Sequence, residues 1–174
     1  LAKTAEGIMR AEMNDWGSGC STENSVVIHE AVYDQMLCEL KKVGGHLCSA
    51  EEKDKLIHTL WKNGKLNVEC IIHPPQHIAA KAGFSVPDSC TFLMAEEDHC
   101  GREYPMTEEK LSPVIAVWKV RSFEEGVDLV NRIHTVSGAV KNLTIESDCS
   151  FTARQLVGSF ALYLKDGGKL DNCT

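Results

Sequence analysis

Two apolar rhythms take turns along the chain. Short continuous apolar runs are each followed by a stretch in which apolar residues recur every three or four positions, so strands and helices are expected to alternate. The run SVVI at 25–28 predicts a strand. Within 29–43, Val32, Met36, Leu40 and Val43 stand at helical spacing, and Gly44-Gly45 stops the helix. Ser49 followed by Glu52 reads as a capping box, opening a helix that stacks Leu56 on Leu60 with Ile57 and Trp61 beside them. Asn63-Gly64 is expected to end it. Pro74-Pro75 can open the next helix, because a proline in the first turn loses no hydrogen bond, and Gly83 closes it.

TFLMA at 91–95 predicts a buried strand, and the acidic stretch 96–110, with Gly101 and Pro105, reads as an exposed loop. Pro113 leads into VIAVWKV at 114–120, the clearest strand of the chain. Ser122 and Glu125 suggest a second capping box, with Val127, Val130 and Ile133 on one face of the helix and Gly138 as a cap beyond it. Weaker strands are expected at 143–146 and 160–164, with a turn at Asp166-Gly167-Gly168. Strands that are apolar throughout, not at alternate positions, must be covered on both faces. The expectation is therefore an α/β fold with a mostly parallel sheet flanked by helices, in a single domain over 1–174.

Composition narrows the function classes. The 174 residues carry 18 basic and 25 acidic side chains, a formal charge of −7, and show no basic stripe interleaved with aromatics. Nucleic acid is therefore not an expected partner. No apolar run approaches the ~20 residues needed to cross a bilayer. The opening LAKTAEGIMR lacks the apolar core of a signal peptide. Eight cysteines are spread near one per element. A chain of this size buries enough surface to fold unstapled, so separate reduced thiols and a cytoplasmic location are expected, not a disulfide scaffold. Asn142-Leu143-Thr144 fits a glycosylation sequon, a pattern short enough to arise by chance.

Two positions stand out chemically. Cys20 lies in DWGSGCSTENS, a bend rich in Gly and Ser directly before a strand. Small neighbours allow a sharp turn with exposed N–H groups, which suits a nucleophile and an oxyanion site; otherwise a loop cysteine is simply a small hydrophobe. The second is the cluster Glu108-Glu109-Lys110-Leu111-Ser112-Pro113 at the mouth of the strand 114–120, where a carboxylate ahead of the proline can accept hydrogen bonds from ligand hydroxyls. Otherwise Glu108 and Glu109 are a solvated acidic face. Cys70 with His73, and His99 with Cys100, are metal half-sites lacking a second pair at zinc spacing, so no metal is expected. No GxGxxG, Walker loop or HExxH occurs.

In these segments the chain resembles the catalytic domain of the aldehyde dehydrogenase superfamily, in its CoA-acylating branch. GSGCSTENSVVIHEAVYDQM is similar to the stretch where the family's nucleophilic cysteine precedes a strand and helix, which puts Cys20 in the nucleophile's place with Glu23, Asn24 and Ser25 following. AEEKDKLIHTLWKNGKLN, HIAAKAGFSVP, EEKLSPVIAVWKVRSFEEGVDLVNRI and DGGKLDN resemble further blocks in the family's order. The resemblance covers about 5–147 and resumes near 159. It implies that Glu109 holds the nicotinamide ribose, that NAD or NADP accepts hydride, that a small aldehyde is the substrate and that CoA takes the acyl group. Where the branch usually has Gly-His-Thr, this chain has Val140-Lys141-Asn142. Family members are longer, with most of the cofactor-binding part preceding the segment that starts here. The chain is thus expected to be a fragment or truncated relative lacking most of that domain, or to form a homo-oligomer.

Two rival readings remain at this stage. Without the cofactor-binding part, the chain alone could be a non-catalytic or degenerate module with a structural or interaction role. Alternatively, Cys20 could serve a hydrolase or acyltransferase with a histidine base, although no motif ties any of the seven histidines to it.

Overall fold

The computed structural model describes residues 1–19 and 22–137 and, as backbone strands only, 143–147 and 160–164. Cys20, Ser21, Gly138, the segment Val140-Lys141-Asn142 and the Asp166-Gly167-Gly168 turn lie outside the described residues. Helix α1 (Ala2–Met13) leads, followed by strand β1 (Ser25–His29), helix α2 (Tyr33–Lys42), strand β2 (Gly45–Leu47) and helix α3 (Ala50–Leu60). A small hairpin of β3 (Trp61–Lys62) and β4 (Lys65–Leu66) precedes helix α4 (Pro75–Ala82). Strands β5 (Phe92–Glu97) and β6 (Val114–Val120), helix α5 (Phe123–Ser137) and strands β7 (Leu143–Ser147) and β8 (Phe160–Leu164) complete the order.

The main sheet has the order β1-β6-β5-β2, and each adjacent pair in it is parallel. A separate parallel pair joins β7 to β8. The expected α/β architecture is the one observed, and β6 shows why. It is central, so both faces must be apolar, and successive side chains point to opposite faces. Ala116, Trp118 and Val120 enter the layer shared with Leu56, Leu60, Ile78, Leu129 and Ile133, whereas Ile115 and Val117 enter the layer shared with Ala5, Ile8, Met36 and Leu40. Helices α3, α4 and α5 thus cover one face, and α1 and α2 the other. Each fully buried aliphatic side chain of this kind contributes about 1.5–3 kcal/mol.

The helix starts follow local chemistry. Ser49 caps α3 as expected: its side chain accepts the Glu52 N–H while the Glu52 carboxylate accepts the Ser49 N–H. Pro75 occupies the first turn of α4, and Gly83, at φ 83°, ends it in the left-handed conformation. The second capping box is only half formed. Ser122 Oγ accepts the Glu125 N–H, but the Glu125 carboxylate reaches past Ser122 to the N–H of Arg121 at 2.7 Å.

Several local expectations are revised. The helix expected over 29–43 begins as a 3-10 turn, Glu30–Val32, because His29 Nδ1 accepts the Ala31 N–H and caps that turn first. Asn63-Gly64 does not terminate a helix; with φ values of 52° and 70° it forms the tight turn of the β3–β4 hairpin, and α3 stops earlier, at Leu60. The stretch 96–110 is not a uniformly exposed loop. Glu97, Met106, Thr107 and Lys110 are buried, since Glu97 pairs with Lys53 at 2.9 Å and Lys110 is satisfied by main-chain carbonyls. Among the described residues, Cys38, Cys48, Cys70, Cys90 and Cys100 are free thiols. No helix of the described residues is long and apolar enough to cross a membrane.

Candidate active site

Helix α1 ends in a run of left-handed backbone. Asp15, Trp16 and Gly17 have φ values of 48°, 50° and 71°, and Asp15 and Trp16 lack the glycine's freedom. Such residues cost about 1–3 kcal/mol each and persist where surrounding structure holds them. Here the hold is Gly17, whose backbone lies so close to the chain at Ser112 and Pro113 that a Cβ would sit 2.6 Å from the Ser112 carbonyl carbon and oxygen. The Gly19 carbonyl then accepts the Thr22 N–H at 2.9 Å, these two residues flanking Cys20 and Ser21.

On the far side of Cys20, Asn24 ties the same two segments again. Its Oδ1 accepts the Lys110 N–H at 2.9 Å, although 86 positions separate the two residues, and its carbonyl accepts the Ala116 N–H at 3.1 Å as β1 joins β6. The segment carrying Cys20 is therefore clamped, before and after the cysteine, onto the segment that carries Glu109. Glu109 itself is exposed and takes no hydrogen bond or ion pair from another described residue, while Glu108 is half-buried and lends its carbonyl to Lys110 Nζ. Leu111, at φ 46°, turns the chain into β6, and its carbonyl accepts the N–H of Ile72, which is itself left-handed at φ 58°. Strained backbone thus surrounds the place where the segments meet.

Beneath the clamp lies a group of buried charges. Lys110 is fully buried, its Nζ donating to the carbonyls of Met106 and Glu108 at 2.9 Å each. Burial pushes its ammonium down to about 8, against the opposing pull of Glu12, Glu97, Glu109 and Glu108. Glu12, on the inner face of α1, is also fully buried; desolvation and then the charge of Glu23 push its carboxyl well above the usual range, with Lys110 opposing. Burial likewise raises Glu23. Both carboxylate oxygens of Glu12, one of Glu23, and the hydroxyls of Ser25 and Ser112 are buried without a hydrogen-bond partner. Among the described residues, the indole N–H of Trp118 is the only other such atom. Orphaned polar groups are costly, and here they are concentrated on the segments flanking Cys20 and Glu109.

Sequence reasoning singled out Cys20 and Glu109 but passed over Glu12 and Lys110. Glu12 follows Ala5 and Ile8 at helical spacing, so a helical reading of the first turns would have put it on a buried face. Lys110 gave no such signal inside a charged run.

The arrangement is a parallel α/β fold in which two segments distant in sequence are joined just ahead of strands β1 and β6. No family profile matches the chain. Individual relatives do. An acylating sulfoacetaldehyde dehydrogenase of Bilophila wadsworthia is 36% identical over 144 residues, covering 76% of this chain and 31% of the relative. The corresponding enzyme of Cupriavidus necator is 33% identical over 158 residues, covering 90% of this chain and 32% of the relative. The crystal structure of an acetylating aldehyde dehydrogenase from Geobacillus thermoglucosidasius superposes with a TM-score of 0.84 at 28% identity, over 94% of this chain and 37% of that one. The chain belongs to the aldehyde dehydrogenase superfamily, in its acylating branch. It spans about a third of the length of these relatives.

Proposed function

We propose that the chain works as the catalytic-type portion of an NAD(P)-dependent, CoA-acylating aldehyde dehydrogenase, with Cys20 as nucleophile and Glu109 as the ribose-holding residue. The observation that carries the reading is the double clamp, Gly17 against Ser112-Pro113 and Asn24 Oδ1 to the Lys110 N–H, which ties the segments of both residues together. The exposed, unpaired carboxylate of Glu109 suits the two hydroxyls of a ribose.

In this reading the Cys20 thiolate attacks the aldehyde carbonyl carbon, and the oxygen that becomes anionic is held by the Cys20 N–H together with a donor from the cofactor-binding part. When bound, NAD(P) supplies the hydride acceptor that converts the thiohemiacetal carbon to a thioester. The thiol of CoA, losing its proton to solvent, then attacks that thioester, the acyl group leaves as acyl-CoA, and the Cys20 thiolate is restored. The relatives' names point to short aldehydes such as acetaldehyde and sulfoacetaldehyde. A reducing cytoplasm, which keeps the thiol free, is the fitting location.

The acyl-transfer half-reaction tests the assignment without the redox step. On incubation with acetyl-CoA or propionyl-CoA, intact-mass and peptide mass spectrometry should find one acyl adduct on Cys20, lost in Cys20→Ala. An adduct that survives Cys20→Ala, or none under conditions where the chain is folded, would remove Cys20 as nucleophile. With NAD(P) and an aldehyde, CoA-dependent cofactor reduction by the protein should vanish in the same variant.

A further inference from the structure

At the other edge of the sheet, well away from the strand that follows Cys20, three donors of different chemistry converge. Strand β2 delivers His46, the next turn delivers Cys48, and the first turn of α3 returns Glu52. One ligand atom from each, an imidazole nitrogen, the Cys48 Sγ and a carboxylate oxygen, all lie within 4.8 Å of one another. His46 Nε2 already meets Glu52 Oε2 at 3.2 Å. The positions are held from outside the cluster as well. The imidazole stacks on Phe84 with centroids 6.1 Å apart, the Cys48 N–H donates to the Met94 carbonyl on β5 at 2.9 Å, and the capping box anchors Glu52.

We propose that His46, Cys48 and Glu52 form a site for a thiophilic divalent cation of the zinc type. Nitrogen, sulfur and oxygen donors together suit a borderline-soft ion, whereas calcium and magnesium take oxygen alone. Donors on one tetrahedral zinc stand roughly 3.5 Å apart. The triad therefore needs to contract by only about 1 Å, within the reach of small side-chain rotations. Glu52 can bind without giving up its cap, because Ser49 and His46 both use Oε2 and Oε1 takes part in neither bond. On binding, Cys48 Sγ forms the metal–sulfur bond and its proton passes to solvent. Three protein ligands leave one position for water or a small anion. Cys48 is buried while His46 and Glu52 are half-buried, so the ion would enter from the solvent side and seat on the sulfur.

Sheet order keeps this triad apart from the proposed acyl-transfer chemistry. In the order β1-β6-β5-β2, the edge strand β2 lies three strand spacings from β1, roughly 14 Å across the sheet. The bound ion would add to the His46–Glu52 contact and the capping turn in tying the end of β2 to the start of α3.

Titration of the full chain, reduced and freed of metal, with cobalt(II) and then zinc provides the test. The expected result is one equivalent bound, with a thiolate-to-cobalt charge-transfer band that zinc displaces. Cys48→Ala should abolish the band, and His46→Ala should weaken cobalt binding by more than about tenfold, the loss that even outer-sphere changes cause. Far-ultraviolet circular dichroism of each variant establishes that it is folded, and Cys38→Ala, a surface thiol outside the triad, should leave the band unchanged. No band in the parent chain, or a band retained in folded Cys48→Ala, would overturn the proposal. Cobalt affinity unaltered by His46→Ala would overturn it equally.

Discussion

Glu108 and Glu109 carry the same carboxylate one position apart, and the structure treats them differently. Glu108 is half-buried at the end of a 3-10 turn, its carbonyl engaged by Lys110 Nζ, whereas Glu109 points outward and unpaired. If Glu109 receives the ribose, Glu109→Gln should weaken NAD(P) binding by roughly 1–3 kcal/mol, because charged hydrogen bonds are lost. Glu108→Gln should stay within ~0.5 kcal/mol. Dissociation constants for both variants at one salt concentration, in the enzyme carrying its cofactor-binding part, decide between them; equal and parental values would return Glu109 to the solvated surface. The candidate residues were nameable because resemblance works on short motifs such as GSGCSTENS and EEKLSP. Their buried support was not: Glu12 and Lys110 are ordinary surface types, and only tertiary packing removes both from water.

Elements were easiest to foresee where one strong local signal acted alone. The Ser49–Glu52 box, Pro75 and Gly83 each do in the structure what their local chemistry demands. Where two signals competed, the outcome was less legible, as at Asn63-Gly64, where a tight-turn sequence sits just beyond a helix and produces a hairpin instead of a simple stop. The connection from α1 to β1 was still less visible, since its left-handed run is imposed by a contact distant in sequence. Gly17 makes this testable. Its φ of 71° and the 2.6 Å approach of Ser112 leave no room for a methyl group, so Gly17→Ala should destabilise the fold by more than about 1 kcal/mol. It should also slow acylation of Cys20, by shifting the segment that carries it. Gly7→Ala is the counterpart: it is exposed in α1 with nothing within 4 Å, and should stabilise by about 0.5–1 kcal/mol. Urea unfolding of the two variants beside the parent checks both signs, and a Gly17→Ala protein as stable as the parent would contradict the clamp.

For the molecule as a whole, the buried charges make stability depend on pH. Lys110 in the folded chain loses its proton near 8, below its ordinary 10.5. Between those values the unfolded chain holds a proton that the native chain has released, so unfolding free energy rises with pH across that window, by up to about 3 kcal/mol. Glu12 acts in the opposite sense. Its raised value makes its contribution greatest below the usual carboxyl range of 4.5, and that contribution falls away as pH climbs through the folded value. Urea unfolding at points between about pH 7 and 10, compared with Lys110→Met, isolates the lysine's share. The parent should gain stability relative to the variant as pH rises; parallel curves would mean that Lys110 titrates normally.

By itself the sequence determined the alternation of strands and helices and the apolar two-sided strands that demand a covered parallel sheet, because both follow from periodicities and caps spanning a few residues. It also marked Cys20 and Glu109 as the residues to examine. The tertiary structure alone decided which distant segments meet. It set Gly17 against Ser112, joined Asn24 to Lys110, hid Lys110 and Glu12 from water, and brought His46, Cys48 and Glu52 within one ion's reach. Each of those depends on strand order and helix placement, which are set by the summed burial of many weak contacts, and no local spacing encodes that sum.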